Sequence, residues 1–231
     1  MKESRHKQII QLLMSHDSLS NDELVGVLSV SHETLRRDLR ELQAQGLIQR
    51  THGRAKYIRK ENPDSGDSFI NRLKSHHTHK VDIAREALTW ISEGMVVALD
   101  ASSTCWHLAR QLDDCEITIF TNSHPICIEL GKREKINLIS SGGSLHRKYG
   151  CYISPSLFHQ VKSLEIDLFI FSCEGVDQSG NIWDSNIYNA EFKKTIIKRA
   201  NQSILVIDKR KLNRAGEINI GHIDDIFKVI S

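Results

Sequence analysis

The sequence has no apolar run approaching the ~20 residues that a membrane-spanning helix needs, so no membrane partner is expected. Its opening, MKESRHKQII, is polar and lacks the apolar core of a signal peptide, which makes the cytoplasm the expected location. No two cysteines stand at CxxC spacing. Cys105, Cys115, Cys127, Cys151 and Cys173 are an odd, scattered set, which fits buried reduced thiols and excludes a disulfide framework. Histidine is plentiful at 12 residues, but its densest cluster, His76, His77 and His79 in HHTH, has no companion group of cysteines or carboxylates. It reads as part of a polar linker, and neither a metal nor a cofactor is expected. Internal repeats are absent too.

A strong charge of one sign is also lacking, since the net charge is +2. Its distribution is uneven. Residues 1–60 hold 11 Lys and Arg against 7 Asp and Glu, whereas the remainder holds 20 against 22. A basic head on a mildly acidic body points to an anionic partner for the head.

The head has the pattern of a winged helix-turn-helix. Ile9, Ile10, Leu12 and Leu13 recur at helical spacing. Ser20 can cap a helix carrying Leu24, Val25 and Leu28, and Ser31 can cap one carrying Leu35, Leu39 and Leu42. The connection SVS is short, and Gly46 stands where a helix C-cap belongs. LIQRTHGRAKYI then reads as two strands around Gly53. A second helix in this arrangement enters the major groove of double-stranded DNA by its N-terminal part. That places Ser31, His32, Glu33, Thr34, Arg36 and Arg37 nearest the DNA, with Ser20 and Arg40 beside them and Arg54 and Lys56 on the wing. Arginine can contact guanine edges or phosphates, and hydroxyls can donate to phosphates. The alternative is a solvated face in which the arginines pair with Glu33, Asp38 and Glu41. Asp38 would repel phosphate and reads as an intramolecular partner of an arginine.

The polar stretch RKENPDSGDSF opens an expected linker over 59–74, between a DNA-binding domain at 1–58 and a second domain at 75–231. There, apolar runs (MVVALD, ITIFTN, INLISSGG, IDLFIFSCEG, SILVID, IFKVIS) alternate with helical stretches. Such alternation predicts an α/β fold with a mostly parallel sheet and helices on both faces. Ligands bind beyond the strand ends of such sheets. LDASSTCWHLARQL is a strand, a hydroxyl-rich turn and a helix, so Asp100, Ser102, Ser103 and Thr104 could cradle a phosphate. Further polar strand ends are Asn122 and Ser123, Gly142 and Gly143, Glu174, Asp184 and Asn186, and Lys211. Together they predict a pocket for an anionic, sugar-like ligand, although each residue could instead be a cap or turn.

Arg5, Ile9, Leu13, Ser31, Thr34, Leu35, Arg36, Arg37, Asp38, Leu39 and Leu42 resemble the N-terminal signature of DeoR-type bacterial transcription regulators. The body is similar to the sensor domain of that family through Asp100–Thr104, Thr121–Ser123, Gly142–Gly143, Asp167, Glu174–Gly175, Gly180, Glu191 and Asp208 to Lys211. The resemblance implies operator DNA as partner, a phosphorylated sugar as effector, a fold like ribose-5-phosphate isomerase, and a homo-oligomer. Two departures stand out: Ser102 where the family usually has Gly, and LNR after Lys211 where it has a nearby Gly. Two other functions remain open on the residues alone. One is an isomerase-like enzyme using Glu174, Asp177 and Asp184 as acid and base with Lys211 as electrophile. The other is a DNA-binding oligomer without an effector. The resemblance favours a regulator with no catalytic residues.

Overall fold

The computed structural model describes residues 2–15, 18–44, 48–51, 53–57 and 66–231. The chain divides into two compact units, Met1–Pro63 and Asp64–Ser231. Gly46 and residues 59–65 of the expected linker lie outside the described residues.

In the first unit, α1 (Lys2–Ser15), β1 (Leu19–Ser20), α2 (Asn21–Leu28) and α3 (His32–Ala44) precede a hairpin of β2 (Ile48–Thr51) and β3 (Arg54–Tyr57). The Ser20 hydroxyl accepts the Glu23 N–H at 3.2 Å, while the Glu23 carboxylate accepts the Ser20 N–H at 2.6 Å. This reciprocal cap starts α2. Ser29, at φ 52°, ends it in the left-handed region, and Ser31 caps α3 by accepting the Thr34 N–H at 3.2 Å. Ile9, Leu13, Leu24, Leu35, Leu39, Leu42, Ile48 and Ala55 form the buried core. The wing has one strand more than the sequence suggested. β1 pairs antiparallel with β3, Leu19 opposite Ala55, too short a pairing to leave a periodic signal.

Asp38 is buried at 2% exposure and faces the core side of α3. It accepts from Arg5 Nε at 2.5 Å, Arg5 Nη2 at 3.0 Å and His6 Nε2 at 3.1 Å. Burial raises its pKa, but the Arg5 and His6 hydrogen bonds outweigh that and hold it below the ordinary carboxylate range. A depressed folded-state pKa means that this contribution is present above the unfolded value and is lost as pH falls through the folded one. Asp38→Asn should therefore destabilise the first unit by about 1–3 kcal/mol near neutral pH, the cost of losing the charge-assisted hydrogen bonds of a buried carboxylate to its half-buried partners. Urea unfolding followed by circular dichroism would measure it, and the deficit should shrink in acid.

The second unit begins with α4 (Phe69–Lys74) and α5 (His77–Leu88). Residues read from sequence as linker are thus helical. Ser68 caps α4 by accepting the Asn71 N–H at 3.2 Å, and six residues are too few to show periodicity. His76 adopts φ 54° and introduces α5, and His77 and His79 lie in its first turn. Next come β4 (Val96–Leu99), α6 (Ser103–Gln111), β5 (Thr118–Thr121), α7 (His124–Leu130) and β6 (Asn137–Ser140). A hairpin of β7 (Ser144–His146) and β8 (Cys151–Ile153) leads to α8 (Leu157–Lys162) and β9 (Leu168–Phe171). β10 (Gly175–Val176), β11 (Asn181–Asp184), α9 (Ile187–Ile197), β12 (Gln202–Val206), β13 (Ile218–His222) and β14 (Lys228–Ile230) complete it.

The main sheet has six strands in the order β14-β12-β9-β4-β5-β6, every neighbouring pair parallel. These are the six apolar runs picked out in the sequence. Alternation of side chains splits the core in two. Val97, Leu99, Ile119 and Ile170 pack with Ala84, Leu108 and Ile126 of α5, α6 and α7. Ala98, Phe120, Phe169 and Phe171 pack with Val161, Phe192 and Ile196 of α8 and α9. A small antiparallel sheet, β10-β11-β13, stands apart from the main sheet.

Candidate functional site

On α3, Leu35, Asp38, Leu39 and Leu42 are buried, and at 3.6 residues per turn Glu33, Arg36, Arg37 and Arg40 fall on the opposite, exposed face. Among the described residues these three arginines have neither a hydrogen bond nor an ion pair. Asp38, the acid that lies between Arg37 and Arg40 in the sequence, is turned inward to Arg5. His32 is exposed, 3.7 Å from Asp22, and Lys56 is exposed on β3. The other expected contacts are partly occupied. Ser20 and Ser31 hydroxyls serve as caps, Ser31 also sharing a hydrogen bond with Thr34 Oγ1 at 2.9 Å. Arg54 turns back to Ser18, donating to its hydroxyl at 3.0 Å and its carbonyl at 2.9 Å.

A polar cleft of about 240 Å³ opens in the second unit. Ser102, Ser103, Thr104, Glu174, Asp184, Asn186 and Lys211 line it, so seven of the expected residues from four separate loops converge. Ser102 caps α6 by accepting the Cys105 N–H at 3.1 Å. The N–H groups and hydroxyls of Ser103 and Thr104, in the first turn of α6, are left without an acceptor among the described residues. Asn186 caps α9 through its Oδ1, which accepts the Asn189 N–H at 2.9 Å, and its buried Nδ2 has no partner among the described residues.

Sequence reasoning missed the cations of the cleft: Arg72, Lys80, Lys193, Arg210 and Arg214 join Lys211. Burial, then the nearby charges of Lys211 and Arg72, push the Lys80 ammonium down to about 8. Lys80 donates to the Arg72 carbonyl and, at 2.8 Å, to that of Ser75. These cations sit on elements whose sequences look like ordinary amphipathic helix or turn, so the only signal was their charge. Lys193 is buried between Asp100, at 3.1 Å, and Asp184.

Other expected residues stand behind the cleft or away from it. Asp100 is 1% exposed and holds the Ser102 N–H at 3.2 Å and the Ser172 N–H at 3.4 Å, so it shapes the loop from below. Asn122 donates to Asn189 at 3.1 Å, and Ser123 caps α7. Gly142 and Gly143 serve the chain itself. At Gly143, φ is +93°, and a Cβ would meet the Ile153 carbonyl oxygen at 2.0 Å, so the close approach of the hairpin requires glycine.

Two matches decide the family. Residues 5–61 match the DeoR-like helix-turn-helix domain, and residues 75–231 match the DeoR C terminal sensor domain. The chain belongs to the DeoR family. It is a DNA-binding transcription regulator. The L-fucose operon activator of Escherichia coli is 65% identical over all 231 residues, spanning 95% of that protein. The L-fucose operon activator of Haemophilus influenzae is 34% identical over 98% of this chain and 90% of that protein. Among solved structures, ribose 5-phosphate isomerase A of Methanocaldococcus jannaschii matches 60% of this chain and 55% of its own, at 16% identity and a TM-score of 0.46.

Both departures of this DeoR-family chain have local explanations. Ser102 sits at φ −85°, so glycine is not needed there, and its hydroxyl becomes the cap. Asn213, in LNR, takes φ 59°, the left-handed conformation in which Asn replaces Gly at least cost. Among the described residues no helix is long and apolar enough to cross a membrane.

Proposed function

We propose that the cleft binds a singly phosphorylated sugar, and that this effector alters operator binding by the α3 face. The carrying observation is the first turn of α6. There the Ser103 and Thr104 N–H groups and hydroxyls lack acceptors at the positive end of a helix, inside a cleft rimmed with cations. Asn186 Nδ2, the Glu174 oxygen not held by Arg214 and the Lys211 protons not given to the Cys173 carbonyl suit sugar hydroxyls. The names of the relatives direct the reading to L-fucose utilisation, with this chain as its activator, and we take L-fuculose 1-phosphate, the phosphorylated sugar that the resemblance implies, as the effector. The family resemblance extends the reading to a cytoplasmic homo-oligomer whose paired heads read repeated half-sites.

The protein acts in this reading by binding alone. The groups an enzyme would use are committed elsewhere. Glu174 pairs with Arg214 at 2.6 Å, Asp184 with Lys193, and Lys211 donates to the Cys173 carbonyl at 2.7 Å. Asp177 accepts from Asn181 and Trp183, and the Asn181 hydrogen bond above all holds its carboxyl below the usual range, a poor general base.

Thermal unfolding tests the proposal. A ligand at 100 times its Kd should stabilise by about 2.7 kcal/mol. L-fuculose 1-phosphate should raise the midpoint and free L-fuculose should not. Thr104→Val, which removes one donor and keeps the shape, should weaken the phosphosugar about tenfold, the worth of one hydrogen bond. A wild-type midpoint indifferent to the phosphosugar would overturn the effector reading.

A further inference from the structure

Helices α2 and α3 start alike and differ in the place of one acid. Both have a serine cap whose hydroxyl accepts the N–H three residues on, Ser20 from Glu23 and Ser31 from Thr34, each at 3.2 Å. In α2 that third residue is Glu23, and its carboxylate returns to the Ser20 N–H. In α3 it is Thr34, whose hydroxyl shares a hydrogen bond with that of Ser31 at 2.9 Å. The acid of α3, Glu33, is the second residue of the helix and takes no part in the cap. It is exposed and, among the described residues, has neither a hydrogen bond nor an ion pair, although Arg36 and Arg37 follow it at the spacing of helix ion pairs. With about 100° between successive residues, Glu33 lies on the far side of the helix from Leu42, with Arg37 on one flank and Arg36 and Arg40 on the other.

A carboxylate in the middle of a face that meets phosphates costs affinity for every DNA sequence by like-charge repulsion, and a base that donates to it offsets that cost at one sequence. The arginines can only donate, and so read the acceptors of guanine, whereas a carboxylate can only accept. Of the major-groove donors, the adenine amine stands beside the N7 acceptor, which repels a carboxylate, while the cytosine N4 amine has no acceptor beside it on its own base. We propose that Glu33 reads an operator cytosine through its N4 amine and so sets sequence specificity at that base pair. This rests on the reading that the α3 face enters the major groove. A rise of about 1.5 Å per residue puts Glu33 about 6 Å from Arg37 along the axis, against about 3.4 Å per base pair, so the cytosine lies within about two base pairs of a guanine read by the arginines.

The test uses full-length protein, with and without L-fuculose 1-phosphate, to select duplexes from a random-sequence library. The operator that wild type selects is then varied one base pair at a time in anisotropy titrations. Wild type should prefer cytosine about tenfold at one position close to a guanine. Glu33→Ala should reduce that preference to less than about twofold, keep the preferences at other positions, and bind random duplexes more tightly because a like charge has gone. Glu33→Gln should move the preference to adenine, whose N6 and N7 suit an amide. A carboxylate that only stabilised the first turn of α3 would leave the base preferences unmoved, so an intact cytosine preference in Glu33→Ala overturns the proposal. An equal loss of affinity for every sequence overturns it too, since the acid would then only orient the arginines. A wild type that selects no sequence fails the reading of the α3 face instead, which replacement of Arg36 and Arg37 tests separately.

Discussion

Lys193→Met is expected to cost the second unit about 3–5 kcal/mol, the penalty for removing one partner from a buried ionic cluster. The Lys193 side chain is 5% exposed, Asp100 1% and Asp184 7%. Among the described residues, the Lys193 ammonium is the ion-pair partner of both carboxylates. Burial works to lower its pKa, but Asp184 and Asp100 prevail and raise it above the ordinary lysine range. A raised folded-state pKa gives stability that is fully present below the unfolded value and lost only as pH rises through the folded one, so neutral pH sits inside the stable window. Without Lys193, two carboxylates face each other away from water. The damage reaches the cleft, because Asp100 holds the Ser102 N–H and Asp184 holds the N–H groups of Ser185, at 2.8 Å, and Asn186, at 3.1 Å. Denaturant unfolding of the second unit reads the loss. Adding Asp100→Asn and Asp184→Asn to Lys193→Met should recover part of it, since neutral amides need no counter-charge. A single-variant deficit below about 1 kcal/mol would mean that water reaches the cluster, and that the triad is closer to a surface pair in worth.

Replacing Arg36 and Arg37 together by Ala should remove most specific operator affinity. Each contact to a base edge is worth about 1–3 kcal/mol, and each lost phosphate contact lowers the slope of log affinity against log salt by about 1. Fluorescence anisotropy across a salt series separates the two roles. A loss confined to the cognate operator with an unchanged slope assigns the arginines to base edges. A uniform loss with a shallower slope assigns them to phosphates. Stability should stay close to wild type, because both side chains are exposed and neither helps pack Leu35 or Leu39. Unchanged affinity for both kinds of DNA would sink the assignment of the α3 face.

The main lines of this fold were legible because they rest on strong periodic signals. Six apolar runs became the six parallel strands, and Leu35, Leu39 and Leu42 gave the buried stripe of α3. What the sequence hid was short or long-range. β1 has two residues, β10 two and α4 six, too few for a period to register. Asp100 looked like a ligand group because it ends a strand, and only the position of Lys193, 93 residues later, reveals it as a buried anchor. Gly143 looked like room for a ligand, whereas the room beside it is taken by the β8 backbone, and Gly142, with open space around it, supplies a positive φ to the turn. Arg72 left no trace at all, since a lone arginine in a polar stretch is the commonest of surface features.

All five cysteines lie in the second unit, and none has formed a disulfide. Burial lifts every one of their thiols above the ordinary range, Cys151 and Cys173 to about 12. Thiolate is the reactive form, so in the folded protein the buried sulfurs of Cys105, Cys151 and Cys173 react slowly with alkylating reagents, and the partly exposed Cys115 and Cys127 react first. The natural sequence therefore contains its own covalent clock. The rate at which maleimide consumes Cys151 and Cys173 is set by how often the sensor unit breathes, and the DNA-binding unit, having no sulfhydryl, contributes nothing to the reading.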